Sequence, residues 1–255
     1  MTKTETIKSH CKKLRLPAIA NVLDEMITTA QNNQVTYLDF MESLFKREID
    51  HRMEKDKQRR TKQARLPLAY NLDIYDYSFS NGLGKKQLAQ LRELSWLEQN
   101  FNIILMGPSG AGKTYIAAGL CFDAVEQGYR AYFKSMEELI NVLRLKEVTR
   151  SAETEYKRIM KAHLLVIDDI MMFPVNQQDA VNFFNLINEL HDRASLIITT
   201  NKSPKQWTEV LKDTVLTTAI LDRILYRCEV IKLDAPESYR MKNRKTIFGD
   251  NENLK

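Results

Sequence analysis

The longer, C-terminal part of the chain alternates short apolar runs with amphipathic stretches. Each run has four or five residues and is bounded by polar or turn-forming residues, which is typical of buried strands in a parallel sheet. The stretches between the runs keep the 3.6-residue period of helices that bury one face. The pattern predicts strands at residues 102–106, 130–133, 164–168, 196–200 and 229–233.

Helices are predicted between these strands, at residues 113–127, 136–148 and 179–193. Ser135 and Glu138 form an S-x-x-E capping box at the start of the second helix, and Gly128 follows the first, as glycine often does at helix ends. Strands that alternate with helices require a mostly parallel sheet with helices on both faces. We therefore predict an α/β fold for this part of the chain.

The N-terminal part shows helical periods only. Its apolar residues recur every three or four positions in three segments, which predicts a small all-α domain. One segment begins at Pro17, a favoured first helical residue, and another begins after Thr36, which forms a capping pair with Asp39. Pro67 ends the third helix, and an aromatic segment, "YNLDIYDYSFSNG", follows it. The predicted domains are residues 1–68 and 69–255.

Positive charge is concentrated in the helical part. Residues 1–70 hold fourteen Lys and Arg against nine Asp and Glu, an excess equal to the net charge of +5 of all 255 residues. A solvated helix surface is the simpler interpretation, but the excess charge favours the binding of phosphate groups. Four cations recur at i, i+3, i+7 and i+10 and so share one helical face: Arg52, Lys55, Arg59 and Lys62.

The composition excludes several classes of protein. No stretch of 18 uncharged apolar residues occurs, which excludes a membrane-spanning helix, and the first residues lack the apolar core of a secretory signal. The three cysteines are widely separated and match neither a disulfide framework nor a zinc-binding spacing. We therefore expect a cytoplasmic protein with no membrane partner.

The segment between the first predicted strand and the next helix reads GPSGAGKT. It matches the motif G-x-x-x-x-G-K-[ST] and has the preceding strand and following helix that this motif requires. In such a loop, backbone N–H groups surround phosphate oxygens, the lysine reaches the β- and γ-phosphates, and the hydroxyl binds Mg²⁺. We predict ATP and Mg²⁺ as ligands. The predicted nucleotide contacts are Gly107, Pro108, Ser109, Gly110, Ala111, Gly112, Lys113, Thr114 and Tyr115.

Two acids end the third predicted strand. Asp168 and Asp169 follow four apolar residues, at the edge where a parallel sheet also presents its P-loop. Asp168 is predicted to support Mg²⁺ together with Thr114, and Asp169 to deprotonate the attacking water. Asp169 is one methylene shorter than the glutamate more usual as this base. Asn201 follows the next strand, where an asparagine taken alone is usually a turn residue. Beside the strand with the acids, it is predicted to hold the same water.

One arginine lies on an otherwise apolar helix, in "AILDRILYR". Taken alone, Arg223 is expected to pair with a local acid such as Asp222. In an ATPase built of stacked subunits, it can instead reach the γ-phosphate that the neighbouring subunit holds. This second interpretation predicts a homo-oligomer with ATP sites between subunits.

The order of these motifs resembles the AAA+ ATPases of the DnaC-like helicase-loader clade, and in particular the IstB-type transposition helper ATPases. The resemblance extends over nearly the whole chain, through segments such as "LRLPAIANVLDEM", "GPSGAGKTYIA", "TTN" and "AILDRIL". It implies an ATP-regulated, DNA-binding ATPase that assembles on duplex target DNA and recruits a transposase. By motif, it implies Arg240 in "ESYR" as a second sensor. The catalytic residues that it implies are Lys113, Asp169, Asn201 and Arg223.

The sequence departs from the family pattern in two places. Tyr115 stands where a histidine is common, and "IMMFPV" follows the acid pair, where a glycine and an aromatic residue are usual. Three other functions stay open. A replicative helicase loader has the same motor with a different client, and a nucleotide-gated DNA-binding scaffold would hydrolyse ATP only incidentally. A small-molecule P-loop kinase needs an Arg-rich lid and gives no role to the basic helix.

Overall fold

The computed structural model describes residues 2–79, 81–235 and 238–242. Its contacts divide the chain into two compact units, Met1–Arg59 and Arg60–Lys255. The first unit is helical and the second contains the sheet. The predicted domain boundary at residue 68 stays a prediction. Within the described ranges, no helix has the length and apolar character needed to cross a membrane.

Three helices form the N-terminal region, as predicted: α1 (Lys3–Lys13), α2 (Pro17–Asn32) and α3 (Tyr37–Ala64). Glu48 of α3 is only 4% exposed and accepts hydrogen bonds from the Ala18 N–H at 2.9 Å and from Arg52 Nε at 3.0 Å. A carboxylate at a helix N-terminus pairs with backbone donors that the helix itself leaves unpaired. Glu48 therefore fastens α3 to the first turn of α2.

Five parallel strands form the sheet of the second unit, in the order β2-β3-β4-β1-β5. The predicted parallel sheet is confirmed. Two strands have the predicted bounds, and the other three begin or end one or two residues away from theirs. The strands are β1 (Asn102–Met106), β2 (Ala131–Ser135), β3 (Leu164–Asp168), β4 (Ser195–Thr200) and β5 (Cys228–Lys232).

Helices cover both faces of this sheet, as predicted. The helices of the second unit are α4 (Lys85–Arg92), α5 (Ser95–Glu98), α6 (Lys113–Glu126), α7 (Met136–Leu145), α8 (Arg150–Ile159), α9 (Gln177–Leu190), α10 (Pro204–Leu211), α11 (Thr214–Leu225) and α12 (Tyr239–Lys242). Successive strand residues point to opposite faces: Leu164 and Val166 pack with α4 and α6, whereas Leu165 and Ile167 pack with α7, α9 and α11.

Asn102 joins three elements at the edge of the sheet where the strands begin. Its side chain is buried, and its NH₂ group donates to the Ile224 carbonyl of α11 at 2.9 Å. Its side-chain oxygen accepts from the Leu196 N–H of β4, also at 2.9 Å. These bonds pair buried backbone groups and position α11 relative to β1 and β4.

Replacing Asn102 with leucine is expected to lower the free energy of unfolding by about 2–4 kcal/mol, because the Leu196 N–H and the Ile224 carbonyl lose their buried partner. Denaturation with urea measures this change. The control is Asn141→Leu, since Asn141 is exposed on α7 and surface substitutions typically change stability by less than about 0.5 kcal/mol. Equal losses in the two variants would contradict the role of Asn102.

Candidate functional site

The loop of residues 107–114 leaves the carboxyl end of β1 and enters α6. The Gly107 N–H donates to the Thr200 carbonyl at 3.2 Å, which ties the loop to the end of β4. A Cβ atom at Gly107 would lie 2.2 Å from the Leu233 carbonyl oxygen, so a larger residue does not fit. Gly110 and Gly112 have φ values of +80° and +92°, in the region that favours glycine. The glycines of the motif therefore determine the course of the loop.

Lys113 begins α6 and turns back into the loop. Its Nζ donates to the carbonyls of Gly107 and Pro108, both at 2.8 Å, and its side chain is buried. The ammonium is thus held within the curve of the loop, beside a helix N-terminus whose dipole favours anions. This arrangement suits the binding of phosphate groups.

A hydrogen-bonded group joins the start of α6 to the ends of β3 and β4. The hydroxyls of Thr114 and Thr199 both donate to Asp168 Oδ1, at 3.1 Å and 2.5 Å. The Thr199 hydroxyl also accepts from the Asp169 N–H at 2.8 Å. The structure therefore brings the predicted metal residues, Thr114 and Asp168, into direct contact at the P-loop edge of the sheet.

The environment of Asp168 fits a divalent cation. Asp168 is 7% exposed. This burial raises the pKa of its carboxyl group, although the hydrogen bonds from Thr199 and Thr114 act in the opposite direction. A cation beside a buried carboxylate favours its charged form. Because a hydroxyl and a carboxylate oxygen are the hard ligands that Mg²⁺ prefers, the donors at this position match that ion.

Asp169 and Asn201 lie exposed at the same edge, after the neighbouring strands β3 and β4. Asp169 has a φ of +54°, which turns the chain where the strand ends. Its backbone is held by Thr199, whereas its carboxylate makes no hydrogen bond with the described residues. Both predicted water-binding side chains are therefore accessible near the P-loop.

The aromatic segment after the helical region packs beside the P-loop. Asn81, which is 2% exposed, donates to the Ala111 carbonyl at 3.0 Å and to the Tyr75 hydroxyl at 2.7 Å. The ring of Tyr75 lies 6.2 Å from that of Tyr115, whose hydroxyl donates to the Asn71 carbonyl. Tyr115 is therefore anchored beside the loop, next to the predicted phosphate contacts.

The short helix α12 also reaches the P-loop. The Tyr239 N–H donates to the Gly110 carbonyl at 3.1 Å, and a Cβ atom at Gly110 would lie 2.0 Å from Ser238 Oγ. The side chain of Arg240, the predicted second sensor, lies outside what the structure describes. The contact from α12 is therefore a backbone contact with the loop itself.

Arg223 lies near the end of the sheet where the strands begin, whereas the P-loop lies at the end where they finish. Arg223 precedes Ile224, whose carbonyl accepts a hydrogen bond from Asn102 at the start of β1. The P-loop follows the other end of this five-residue strand. The two ends of β1 are about 16 Å apart. Arg223 Nε donates to Asn188 Oδ1 at 2.7 Å, and its guanidinium lies 4.9 Å from the Phe184 ring. Within the described residues it pairs with an amide and an aromatic ring, not with an acid.

The four cations predicted to contact DNA lie on α3, and all are exposed. Arg52 also donates to the Arg15 carbonyl at 2.7 Å, so it helps to hold the helices of the first unit together. Arg59 pairs with an aspartate on the preceding turn at 3.0 Å. Lys55 and Lys62 form no ion pair with a described residue. The DNA contact stays a prediction for all four.

Two residues of this site were not predicted from the sequence. Thr199 aligns the acid pair, and Asn81 fastens the aromatic segment to the P-loop. Thr199 carries a signal that could have found it, because a hydroxyl residue interrupts an apolar strand and is fully buried there. Asn81 lies in a turn-like "SNG" segment, which gives no comparable signal.

Comparison with known proteins gives a family. Residues 9–247 match the model of a family described as IstB-like ATP binding protein. An IS21-like putative ATP-binding protein of an insertion sequence from Bacteroides fragilis is 47% identical, over 94% of this chain and 91% of its own length. The IS21 putative ATP-binding protein from Pseudomonas aeruginosa is 32% identical, over 91% of this chain and 88% of its own.

Solved structures share the fold. The DnaC helicase loader has a TM-score of 0.53 and 20% identity, over 65% of this chain and 96% of its own. AMPPCP-bound DnaA from Aquifex aeolicus has the same TM-score and identity, over 70% of this chain and 54% of its own. The P-loop, the strand order and these matches agree: the chain belongs to the IstB-like ATP-binding protein family and has the AAA+ P-loop fold.

Proposed function

We propose that this protein is an ATP-hydrolysing AAA+ ATPase that assembles with its own copies on duplex DNA and helps a partner transposase. The hydrogen-bonded group of Thr114, Asp168 and Thr199 at the P-loop carries the ATPase part. The relatives' names place them in insertion sequences, which supports the transposition part. A pull-down against transposase and replicative helicase tests the client, and binding to the helicase alone would overturn this part.

Residues at the P-loop end of the sheet would bind the phosphates, hold the metal ion and align the acids for ATP hydrolysis. Lys113 neutralises charge on the β- and γ-phosphates, and the N–H groups of the loop hold their oxygens. Thr114 and Asp168 would hold Mg²⁺, which when bound stabilises the negative charge that shifts between phosphate oxygens. Thr199 keeps both acids aligned, since it donates to one carboxylate and accepts from the next N–H.

Asp169 is the residue that we assign as the base. Its accessible carboxylate would take a proton from the attacking water, and the Asn201 amide would orient that water. The aspartate side chain reaches less far from the backbone than a glutamate. We therefore expect slow turnover, which suits an assembly that stays on DNA until its ATP is hydrolysed.

Arg223 supports an inter-subunit site. The length of β1 separates it from the P-loop of its own chain, so it can serve only a P-loop that another copy brings to it. Asn188 and Phe184 restrain the guanidinium at this position, which lowers the entropy lost when it binds a phosphate. An arginine supplied by a neighbouring subunit stabilises charge on the transferred phosphoryl group.

Substitutions at the P-loop and at the base are expected to separate assembly from release. Lys113→Ala should abolish ATP-dependent assembly on duplex DNA, because the phosphates lose their cation. Asp169→Asn should permit assembly and block release, because the ATP stays intact. Gel filtration and electron microscopy with ATP and DNA measure both steps. Normal release by Asp169→Asn would instead favour the scaffold with incidental hydrolysis, and normal behaviour of both variants would defeat the mechanism.

Arg223→Ala is expected to lower kcat by about 10³-fold and to leave ATP binding intact, because the arginine acts on a neighbour's nucleotide. Arg227→Ala, one turn later and exposed, is the control. Mixing Arg223→Ala with Asp169→Asn subunits, which are expected to assemble, should restore part of the activity, since some interfaces then combine an intact P-loop and base with an intact arginine. Arg223 has no role in trans if the mixture stays inactive while the wild type assembles.

Lys55→Glu combined with Arg59→Glu is expected to weaken duplex binding and to reduce the slope of log K against log[salt] by about 2, since each lost phosphate contact removes about 0.9. Fluorescence anisotropy over a range of salt concentrations measures this slope. Lys12→Glu with Lys13→Glu is the control, because it changes the same charge at exposed positions of α1. Equal slopes in the two double variants would mean that the basic face of α3 is a solvated surface that does not contact DNA.

A further inference from the structure

A cavity lies beside β2, the outermost strand on one side of the sheet. Its volume is about 320 Å³, and the residues that line it all belong to the second unit. The P-loop follows β1, which lies three strands away from β2 in the sheet, at a distance of about 14 Å. The β2 cavity is therefore separate from the nucleotide site. Its charged and aromatic lining residues are Lys62, Arg65, Tyr132, Lys134, Glu155 and Arg158.

Positive charge dominates the β2 cavity. Glu155 is the only acid among the described residues that line it, against four cations. Its Oε1 atom lies 2.5 Å from Lys134 Nζ and 3.1 Å from Arg65 Nη1, so one carboxylate oxygen pairs with two cations. Arg158 and Lys62 form no ion pair with a described residue. The cavity can therefore accept more negative charge than Glu155 provides.

Lys134 is the residue that points to a ligand. Its side chain is 3% exposed and lies on β2, next to the buried Phe133. Although it pairs with Glu155, its Nζ makes no hydrogen bond of good geometry with the described residues. An ammonium group has three N–H donors, and buried donors are nearly always hydrogen-bonded. A ligand with several acceptor oxygens would pair with those that Glu155 leaves.

We propose that the β2 cavity binds a phosphate group other than those of the ATP in the P-loop. A phosphate offers several acceptor oxygens, arginine binds it with two parallel hydrogen bonds, and lysine binds it as a point charge. The volume is within the range of small-molecule sites and leaves room for a group esterified to the phosphate. The DNA backbone and a free phosphate ester are the two sources of this chemistry.

The decisive variant is Arg158→Gln, because Arg158 is exposed on α8 and its loss leaves the buried groups in place. Lys157→Gln is the matched control. Lys157 is next to Arg158 and is also exposed, but it pairs with Glu153 and does not line the cavity. Lys134→Met tests the buried ammonium directly, and circular dichroism shows whether that variant folds. If it does not fold, Arg158→Gln still decides the question.

The first measurement is calorimetric titration with inorganic phosphate at constant ionic strength. A non-hydrolysable ATP analogue with Mg²⁺ fills the P-loop throughout, so that it does not compete. The wild type and Lys157→Gln should bind one phosphate per chain in the β2 cavity. Arg158→Gln and Lys134→Met should bind it about tenfold more weakly, the usual effect of losing one charged hydrogen bond.

The second measurement identifies the source of the phosphate, using duplex DNA over a range of salt concentrations. If the group belongs to the DNA backbone, Arg158→Gln should reduce the salt slope by about 1 relative to Lys157→Gln. If Arg158→Gln weakens phosphate binding but leaves the salt slope unchanged, the cavity binds a free phosphate ester. The proposal would be overturned if Arg158→Gln and Lys134→Met bound both ligands as the wild type does. It would also be overturned if Lys157→Gln changed this binding equally. Failure of the wild type to bind DNA would count against the proposed function only.

Discussion

The parallel register of β1, β3 and β4 is the constraint on which the nucleotide site depends. Ile198 of β4 pairs with Ile167 of β3 on one side and with Ile104 of β1 on the other. Because the three strands run in one direction, the P-loop, the acid pair and Asn201 all emerge at the same edge, as ligand-binding loops do in open α/β sheets. The same register separates the P-loop from Arg223, which lies at the edge where the strands begin.

Thr199 positions the two acids at the end of β3. It donates to one acid and accepts from the backbone of the next, so the two cannot move independently. Asp168 stays buried at the end of the strand, whereas Asp169, with its positive φ, lies exposed. Two adjacent and identical residues thereby acquire different environments. Those environments suit different tasks, since a buried carboxylate supports a cation and an accessible one can exchange protons with water.

Several cations hold the structure of this protein together. Arg52 lies on the basic face of α3, yet it also donates to Glu48 and to a backbone carbonyl within the first unit. Lys134 is buried beside one carboxylate that it shares with Arg65. A count of positive charge does not distinguish cations that hold the fold together from cations that face a ligand. The distinction depends on burial and on the partners within reach.

The sequence by itself determined the five strands, three of the helices between them, the bounds of β1 and β3, and the P-loop, because these depend on local period and on glycine conformation. It did not predict α4, α5, α8 or α10. In α8, for example, the ten residues are mostly polar and bury only Ala152 and Ile159. Tertiary structure alone decided the order of the strands within the sheet, the contact of Thr199 with Asp168, and the burial of Lys134. Each of these joins residues distant along the chain, and such contacts depend on the packing of the whole sheet, which no local pattern encodes.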